Sequence, residues 1–353
     1  MKLVVLPGDG IGPEISAVAV SVLSLVSRKF SLGLTFETHD IGHASLKKEG
    51  TTYPARVLEA CRAADGIVIG PVSHLDYPPR AQGGANPSGD TRIALDLYAN
   101  IRPARSRKGL PHWGRTAMDL VIVRENTEGF YADRNMHVGI GEFMPTPEVA
   151  LSVRKITAQG SRRIALAAFE MARARRKKVT AVNKINVLKV TEGLFLQEVR
   201  KVAAAFQDIA YEEQLIDSMA ALLVRDAARF DVVLTTNMYG DILSDEATEL
   251  SGSLGLAASI NAGEHHCMAQ AQHGSAPDIA GQDKANPASL VLSAAMLLEW
   301  LGLKKQNQNF LKAAKAIEAA IDALIENPKT RTQDLGGTLG TRAFGEEIAR
   351  KLG

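Results

Sequence analysis

The chain has 353 residues, of which 46% are hydrophobic and 23% charged. That is enough apolar surface for a sizeable core and more chain than one core usually serves, so an ordered protein of two domains or one large α/β domain is expected. The net charge of +2 gives no ground for a nucleic-acid or anionic-membrane partner and leaves small acidic molecules open. Cys61 and Cys267 lie far apart without CxxC or zinc-ligand spacing, which speaks against a disulfide framework and for a reducing compartment. The sequence enters at once on Leu3-Val4-Val5-Leu6 without signal-peptide pattern, and no apolar run approaches membrane-spanning length, so a cytoplasmic protein is expected.

Leu3 to Leu6 reads as a buried strand, after which Ile15, Val18, Ala19, Val22 and Val26 share one helical face. Between them, Leu6-Pro7-Gly8-Asp9-Gly10-Ile11-Gly12-Pro13-Glu14 joins strand to helix, with Pro13 in the first turn. The G-x-G-x-x-G spacing of a Rossmann fingerprint is missing, so a tight turn and a cofactor loop both stand. Gly66 to Ile69 is the next strand, and Leu75 to Asp90, dense in Pro, Gly, Asn and Asp, predicts a long functional loop. Arg92 and Arg102 follow, and Arg124 ends a strand that begins at Asp119. Three guanidinium forks suit a di- or tricarboxylic acid, though each could instead serve a surface pair such as Arg92 with Asp96. Arg134 to Pro147 is irregular and reads as an excursion from the compact body.

An Ala-rich helix then ends on Arg173, Arg175, Arg176, Lys177 and Lys178, where positive charge complements the helix dipole. Lys184 and Asn186 come directly after the strand Val179 to Val182, at the sheet end where α/β proteins place ligands. Such a lysine is a base if burial or positive neighbours lower its pKa, and otherwise a solvated cation. A helix is expected over Val187 to Phe206, and Asp217 sits between the strand-like Ile209 to Ile216 and an apolar helix. After the strand Asp231 to Thr235, "TTNMYGDILSD" puts Asp241 and Asp245 four apart at a helix opening. Their carboxylates would repel unless a hard cation such as Mg²⁺ or Mn²⁺ joins them, or unless Asp241 is simply a cap. His265, His266 and Cys267 are adjacent, so their side chains diverge and a loop is expected there. "HGSAPDIAGQDKANP", from His273 to Pro287, is a capped turn or a nucleotide loop, in which Asp278 would accept from the ribose of NAD and repel the phosphate of NADP. Helices over Pro287 to Leu301 and Phe310 to Ile325 close the chain.

Taken together, "LPGDGIGPE", "DLYANIRPA", "VRENTEGFY", "NKINVL", "GDILSD" and "HGSAPDIAG" resemble, in order and spacing, the isocitrate and isopropylmalate dehydrogenase family of β-decarboxylating dehydrogenases. The resemblance implies an isopropylmalate-dehydrogenase-like α/β fold rather than a Rossmann fold. It implies two domains with a cleft between them: residues 1–98 plus 252–353 for the cofactor, and 99–251 for substrate, metal and dimerisation. It implies oxidation of a 3-substituted malate by NAD with Mg²⁺ or Mn²⁺, then loss of the β-carboxylate, in a homodimer with shared sites and an arm near 134–147. Arg92, Arg102, Arg124, Asn86, Ser88 and Asn186 would bind substrate, and Tyr131 and Lys184 would be the catalytic acid and base. Asp217, Asp241 and Asp245 would hold the metal. Ile11, Ser73, His273, Gly274, Ser275, Ala276, Asp278, Ile279 and Asn286 would meet the cofactor.

Two departures stand out. Many relatives carry a glutamate three residues before the loop histidine, where this chain has Gln270. Isopropylmalate enzymes have leucines before the first arginine, where this chain has Asn86, Ser88 and Gly89, so a polar or small C3 substituent is expected. A D-malate or tartrate type of enzyme, or a catalytically silent subunit, are the alternative readings.

Overall fold

The computed structural model describes residues 1–131, 136 and 138–353. Its first half runs β1 (Lys2–Leu6), α1 (Gly12–Lys29), β2 (Thr35–Thr38), α2 (Gly42–Glu49), α3 (Ala55–Arg62), β3 (Gly66–Ile69), α4 (Pro87–Ala94), β4 (Ala99–Arg105) and β5 (Asp119–Glu125). Then come β6 (Glu142–Thr146), β7 (Val149–Ser152), α5 (Ala158–Arg173), β8 (Lys178–Asn183), α6 (Thr191–Ala203), β9 (Ala210–Leu215), α7 (Ile216–Asp226), β10 (Val232–Thr235) and α8 (Asn237–Ser251). The chain closes with β11 (Ile260–Ala262), β12 (Cys267–Gln270), α9 (Ala288–Lys304), α10 (Gln308–Glu326) and α11 (Thr341–Leu352).

Ten strands form one sheet in the order β2-β1-β3-β12-β11-β4-β5-β10-β8-β9. Its flanks are parallel, while β12, β11, β4 and β5 meet antiparallel at the centre. Because side chains alternate across a strand, neighbouring residues feed opposite faces. Leu3 and Val68 join α1, α9, α10 and α11 in one core, while Val4, Leu6, Ile67 and Ile69 join Tyr53, Val57 and Cys61 on the other side. Val121, Val123 and Val232 likewise pack under α5 and α6, and Leu120, Ile122 and Val233 under α7 and α8. The first two clusters draw their buried residues from 3–97 and 258–352, and the other two from 99–247. Helix α9 is apolar nearly all round because it lies between the sheet and α10.

The structure differs from the sequence reading in several places. The segment from Leu75 to Asp90 is not loop throughout, since Asn86 caps α4 by accepting from Gly89 N at 3.1 Å and Pro87 occupies the first turn. Helix α8 starts at Asn237, so Asp241 lies inside it and is not its cap. The helix expected from Val187 begins at Thr191. Cys267 is buried at the start of β12 rather than in a loop. The two-stranded sheet of β6 and β7 overlaps the expected arm near 134–147, of which Arg134, Asn135 and His137 lie outside the described residues.

The glycine-rich turn after β1 packs three loops together. The N–H groups of Asp9 and Ile11 donate to the carbonyls of Pro71 and Ser275, both at 2.8 Å, and that of Gly12 to Asp9 O. These three donors are therefore committed to backbone. Gly10 has φ +56, and a Cβ there would come within 1.9 Å of Ser275 O. Gly33 has φ +64 with open space around it. Gly33→Ala should therefore cost about 1 kcal/mol, from backbone strain alone. Gly10→Ala should lower the melting temperature well beyond that, and equal melting temperatures would contradict the three-loop junction.

Candidate active site

The sheet register brings the arginines together. Asn100 in β4 pairs directly with Arg124 in β5, so their side chains share a face, and Arg102, two residues along from Asn100, shares it too. Helix α8 covers that face, and it can approach because Gly240 has no side chain: a Cβ there would come within 2.6 Å of Arg124 Cγ. Four residues apart on α8, Asn237 and Asp241 then meet the Arg124 guanidinium. Asn237 Oδ1 accepts from Nε at 2.9 Å and from Nη2 at 2.6 Å, while Asp241 Oδ1 accepts from Nη1. Arg102 Nη1 reaches Ser244 Oγ at 2.8 Å, Asp241 at 3.2 Å and Asp245 at 3.4 Å. Tyr131 donates its hydroxyl to Asp241 Oδ2 at 3.1 Å.

Burial, and then Arg124 alongside, pulls the pKa of Arg102 down to about 10 against the pull of Asp241 and Asp245, so it stays charged at neutral pH. Burial raises the pKa of Asp241, but Arg124 and Arg102 outweigh it, and the carboxyl lies below its usual range. Beside this cluster is a cavity of about 320 Å³, lined among others by Asn86, Ser88, Arg92, Arg102, Arg124, Tyr131, Asp241, Gln270 and His273. His74, Asn86 and Gly89 are shared with a second cavity of about 550 Å³ behind the loop that precedes α4. Arg92 donates to Gln270 Oε1 at 2.8 Å and to Asn126 at 3.4 Å; Asp96, its expected partner, pairs with Arg163 instead.

The first cavity is also lined by Pro71, Val72, His273 and Gly274, which belong to two of the three loops of the β1 junction. Ser73 and Ser275 share a hydrogen bond of 2.7 Å, and Asp9 accepts from the N–H groups of His43 and Ser73 and from the Tyr77 hydroxyl. Burial lowers the pKa of His273, so its ring is neutral at pH 7. Its Nδ1 lies 3.0 Å from Gly274 O and must carry the proton, which leaves the buried Nε2 as an acceptor without a partner among the described residues. Ala276 holds φ +39, and Asp278 and Ile279 follow in a single 3₁₀ turn with Asp278 exposed. Both amide atoms of Asn286 are engaged, with Asp334 and with Ala288 N at the start of α9.

Lys184 and Asp217 stand apart from this cluster and pair with one another at 2.6 Å, with Asn186 exposed nearby. The hydrogen bond from Lys184 lowers the pKa of Asp217. Asp241 and Asp245, all-oxygen donors on successive turns that share Arg102, suit a hard divalent cation. Asp217 does not join them, and among the described residues no three acidic, histidine or cysteine side chains gather as a metal cluster in one chain. The basic run after α5 is spent in ion pairs, Arg175 with Asp119 and Asp231, Lys177 with Asp208 and Lys178 with Glu212.

Sequence reasoning missed Asn237, Ser244, Asn126 and Asn261. Asn237 carried a signal, because it is four residues before Asp241 and so lies on its helical face. It also missed a buried ion pair, Arg154 with Glu192 at 2.5 Å, whose guanidinium lies over the Phe130 and Tyr239 rings. No spacing in the sequence pointed to that pair.

A depressed carboxyl stabilises the fold above its unfolded pKa, and this contribution is lost as the pH falls through its folded value. The difference in melting temperature between wild type and Asp241→Asn should thus be flat above about pH 5 and narrow below about pH 4. A difference that persists unchanged to about pH 3 would mean that Asp241 does not act through its charge.

The sequence matches the family described as isocitrate/isopropylmalate dehydrogenase over residues 2–348. It is 40% identical to the 3-isopropylmalate dehydrogenase of Archaeoglobus fulgidus over 99% of both chains. It is 39% identical to the isocitrate/homoisocitrate dehydrogenase of Thermus thermophilus over 99% of this chain and 98% of the other. The fold superposes on the crystal structure of isocitrate dehydrogenase from Methylococcus capsulatus with a TM-score of 0.87, at 39% identity and 99% coverage of each. The chain therefore belongs to the isocitrate/isopropylmalate dehydrogenase family and is an oxidoreductase whose reaction is the oxidative decarboxylation of a hydroxy acid.

Proposed function

We propose that the chain oxidises a 3-substituted malate with NAD and Mg²⁺ or Mn²⁺ and releases its β-carboxylate as carbon dioxide. The observation that carries this reading is the set of buried guanidiniums on one sheet face, compensated by Asp241 and opening on a cavity that also holds Tyr131. Residues 1–98 plus 252–353 act as the cofactor domain and 99–251 as the substrate and dimerisation domain, a division that matches the way the core clusters partition the chain.

Arg92, Arg102 and Arg124 bind the carboxylates of the malate core, and the fixed forks orient C2 for hydride loss. When bound, NAD supplies the hydride acceptor, and a divalent cation held by Asp241, Asp245 and the Asp217 of a second copy supplies stabilisation of negative charge at the C2 oxygen. The hydroxyl proton passes to Lys184 of the second copy, and Tyr131 delivers a proton to C3 once the carboxylate has left. The wall built from Ile11, Ser73, His273, Gly274, Ser275, Ala276, Asp278, Ile279 and Asn286 takes the dinucleotide, where the exposed acid at 278 disfavours a 2′-phosphate. Asn86 and Ser88 face the C3 substituent, with Asn186 beside Lys184.

A dimer agrees with the outer surface. The sheet of β6 and β7 forms no ladder with the main sheet and exposes Phe143, Met144, Val149 and Leu151, while Val187, Val190 and Ile242 are exposed as well. A two-stranded sheet gains stability by being covered, and apolar surface of this extent suits a second copy. No helix among the described residues is long and apolar enough to cross a membrane. Cys61 and Cys267 are buried and unpaired, with burial pushing the Cys61 thiol up to about 11, which suits the cytoplasm.

The direct test is turnover of isocitrate, 3-isopropylmalate, D-malate and tartrate with either nicotinamide cofactor, with Mn²⁺ and with excess chelator. Activity on at least one acid, abolished by chelator and at least about tenfold higher in kcat/KM with NAD than with NADP, is expected. Full turnover in chelator, or equal use of both cofactors, would contradict the corresponding assignment.

A further inference from the structure

Gln272 carries an amide whose orientation is fixed by its partner. One of its amide atoms lies 2.8 Å from Asp245 Oδ1, and because a carboxylate only accepts, that atom is the donor Nε2. The same nitrogen reaches Thr248 Oγ1 at 3.5 Å, one turn further along α8. The other amide atom, Oε1, is buried and has no partner among the described residues. An apolar side chain of similar size would fill the position without an unpaired buried acceptor, so the amide is kept at a cost to the fold.

Asp245 is the residue that gains from it. Its side chain is 61% exposed, against 36% for Asp241, and packing does little to fix it. Arg102 Nη1 touches it at 3.4 Å, but the same nitrogen lies closer to Ser244, at 2.8 Å, and to Asp241, at 3.2 Å. Gln272 thus makes the shorter of the two contacts, and both fall on Oδ1. Oδ2 accepts from nothing among the described residues and is left for a ligand. The contact also joins the two halves of the molecule, since Gln272 follows β12 and lines the first cavity, whereas Asp245 lies on α8.

We propose that Gln272 is a positioning residue for the divalent cation: by holding Oδ1 it keeps Oδ2 of Asp245 free and oriented to bind the ion that Asp241 and Asp245 share. This rests on the metal reading of the two aspartates given above. A partner that orients a ligating carboxylate is worth about ten- to a hundredfold in metal affinity.

The test titrates Mn²⁺ alone into the intact protein, with neither acid nor nucleotide, and reads the free ion by electron paramagnetic resonance. Gln272→Leu, which keeps the bulk and loses the donor, should raise the Kd for Mn²⁺ by about tenfold, and Gln272→Ala by a similar factor. A role in packing alone would follow volume, weakening binding in the alanine variant and sparing it in the leucine variant. A wild-type Kd retained by either variant would therefore overturn this inference and leave the metal reading standing. No saturable binding of Mn²⁺ by the wild type would overturn both.

Discussion

Burying two guanidinium groups side by side is the constraint on which the rest of the site depends. Arg102 and Arg124 are both nearly inaccessible, and Arg124 disfavours the charge of Arg102. Left alone, such a pair would cost several kcal/mol per ion. Asp241 offsets part of that cost by touching both, and it can do so only because Gly240 lets α8 lie directly on Arg124. The strand register, the missing side chain at 240 and the i to i+4 spacing of Asn237 and Asp241 are therefore one device. It holds positive charge ready for an acid without waiting for the acid to arrive.

The second device is polar and neutral. The chain from Asn100 and Asn126 through Asn261 to Gln270 lies where the antiparallel strands β4, β11 and β12 meet, and it gives partners to the buried amide N–H₂ groups of Asn100 and Asn126. It ties the sheet centre to α4 through Ser88 and Arg92. The junction at Asp9, Ser73 and Ser275 binds the loops after β1, β3 and β12 to one another. The cavity is thus framed by elements that are locked from behind, which is how a site keeps its geometry when empty of ligand.

Much of this was legible in the sequence. The buried strands β1, β3, β5, β8 and β10 announced themselves as short apolar runs between helical patterns, and ordered motifs across the whole chain pointed to the family. Strand β4 was hidden, because "ANIRPAR" buries Asn100, Arg102 and Ala104 on one face and so shows polar residues where a core strand shows apolar ones. Strands β11 and β12 are too short to establish a period. The arginines and aspartates were found as residues, but their pairing was not, because it depends on which strands sit side by side. Gln270 was noticed as a departure, and only the hydrogen-bond chain gives it a physical role.

One chain brings together Asp241, Asp245, Tyr131 and the arginines, and sets Lys184 with Asp217 elsewhere. In the proposed dimer these two halves complete each other. Mixing inactive Lys184→Ala and Asp241→Ala chains under subunit exchange tests this most directly. In each mixed dimer one of the two sites would keep both groups, so random pairing should restore about a quarter of wild-type activity. No recovery, with exchange demonstrated, would contradict a site shared between two copies.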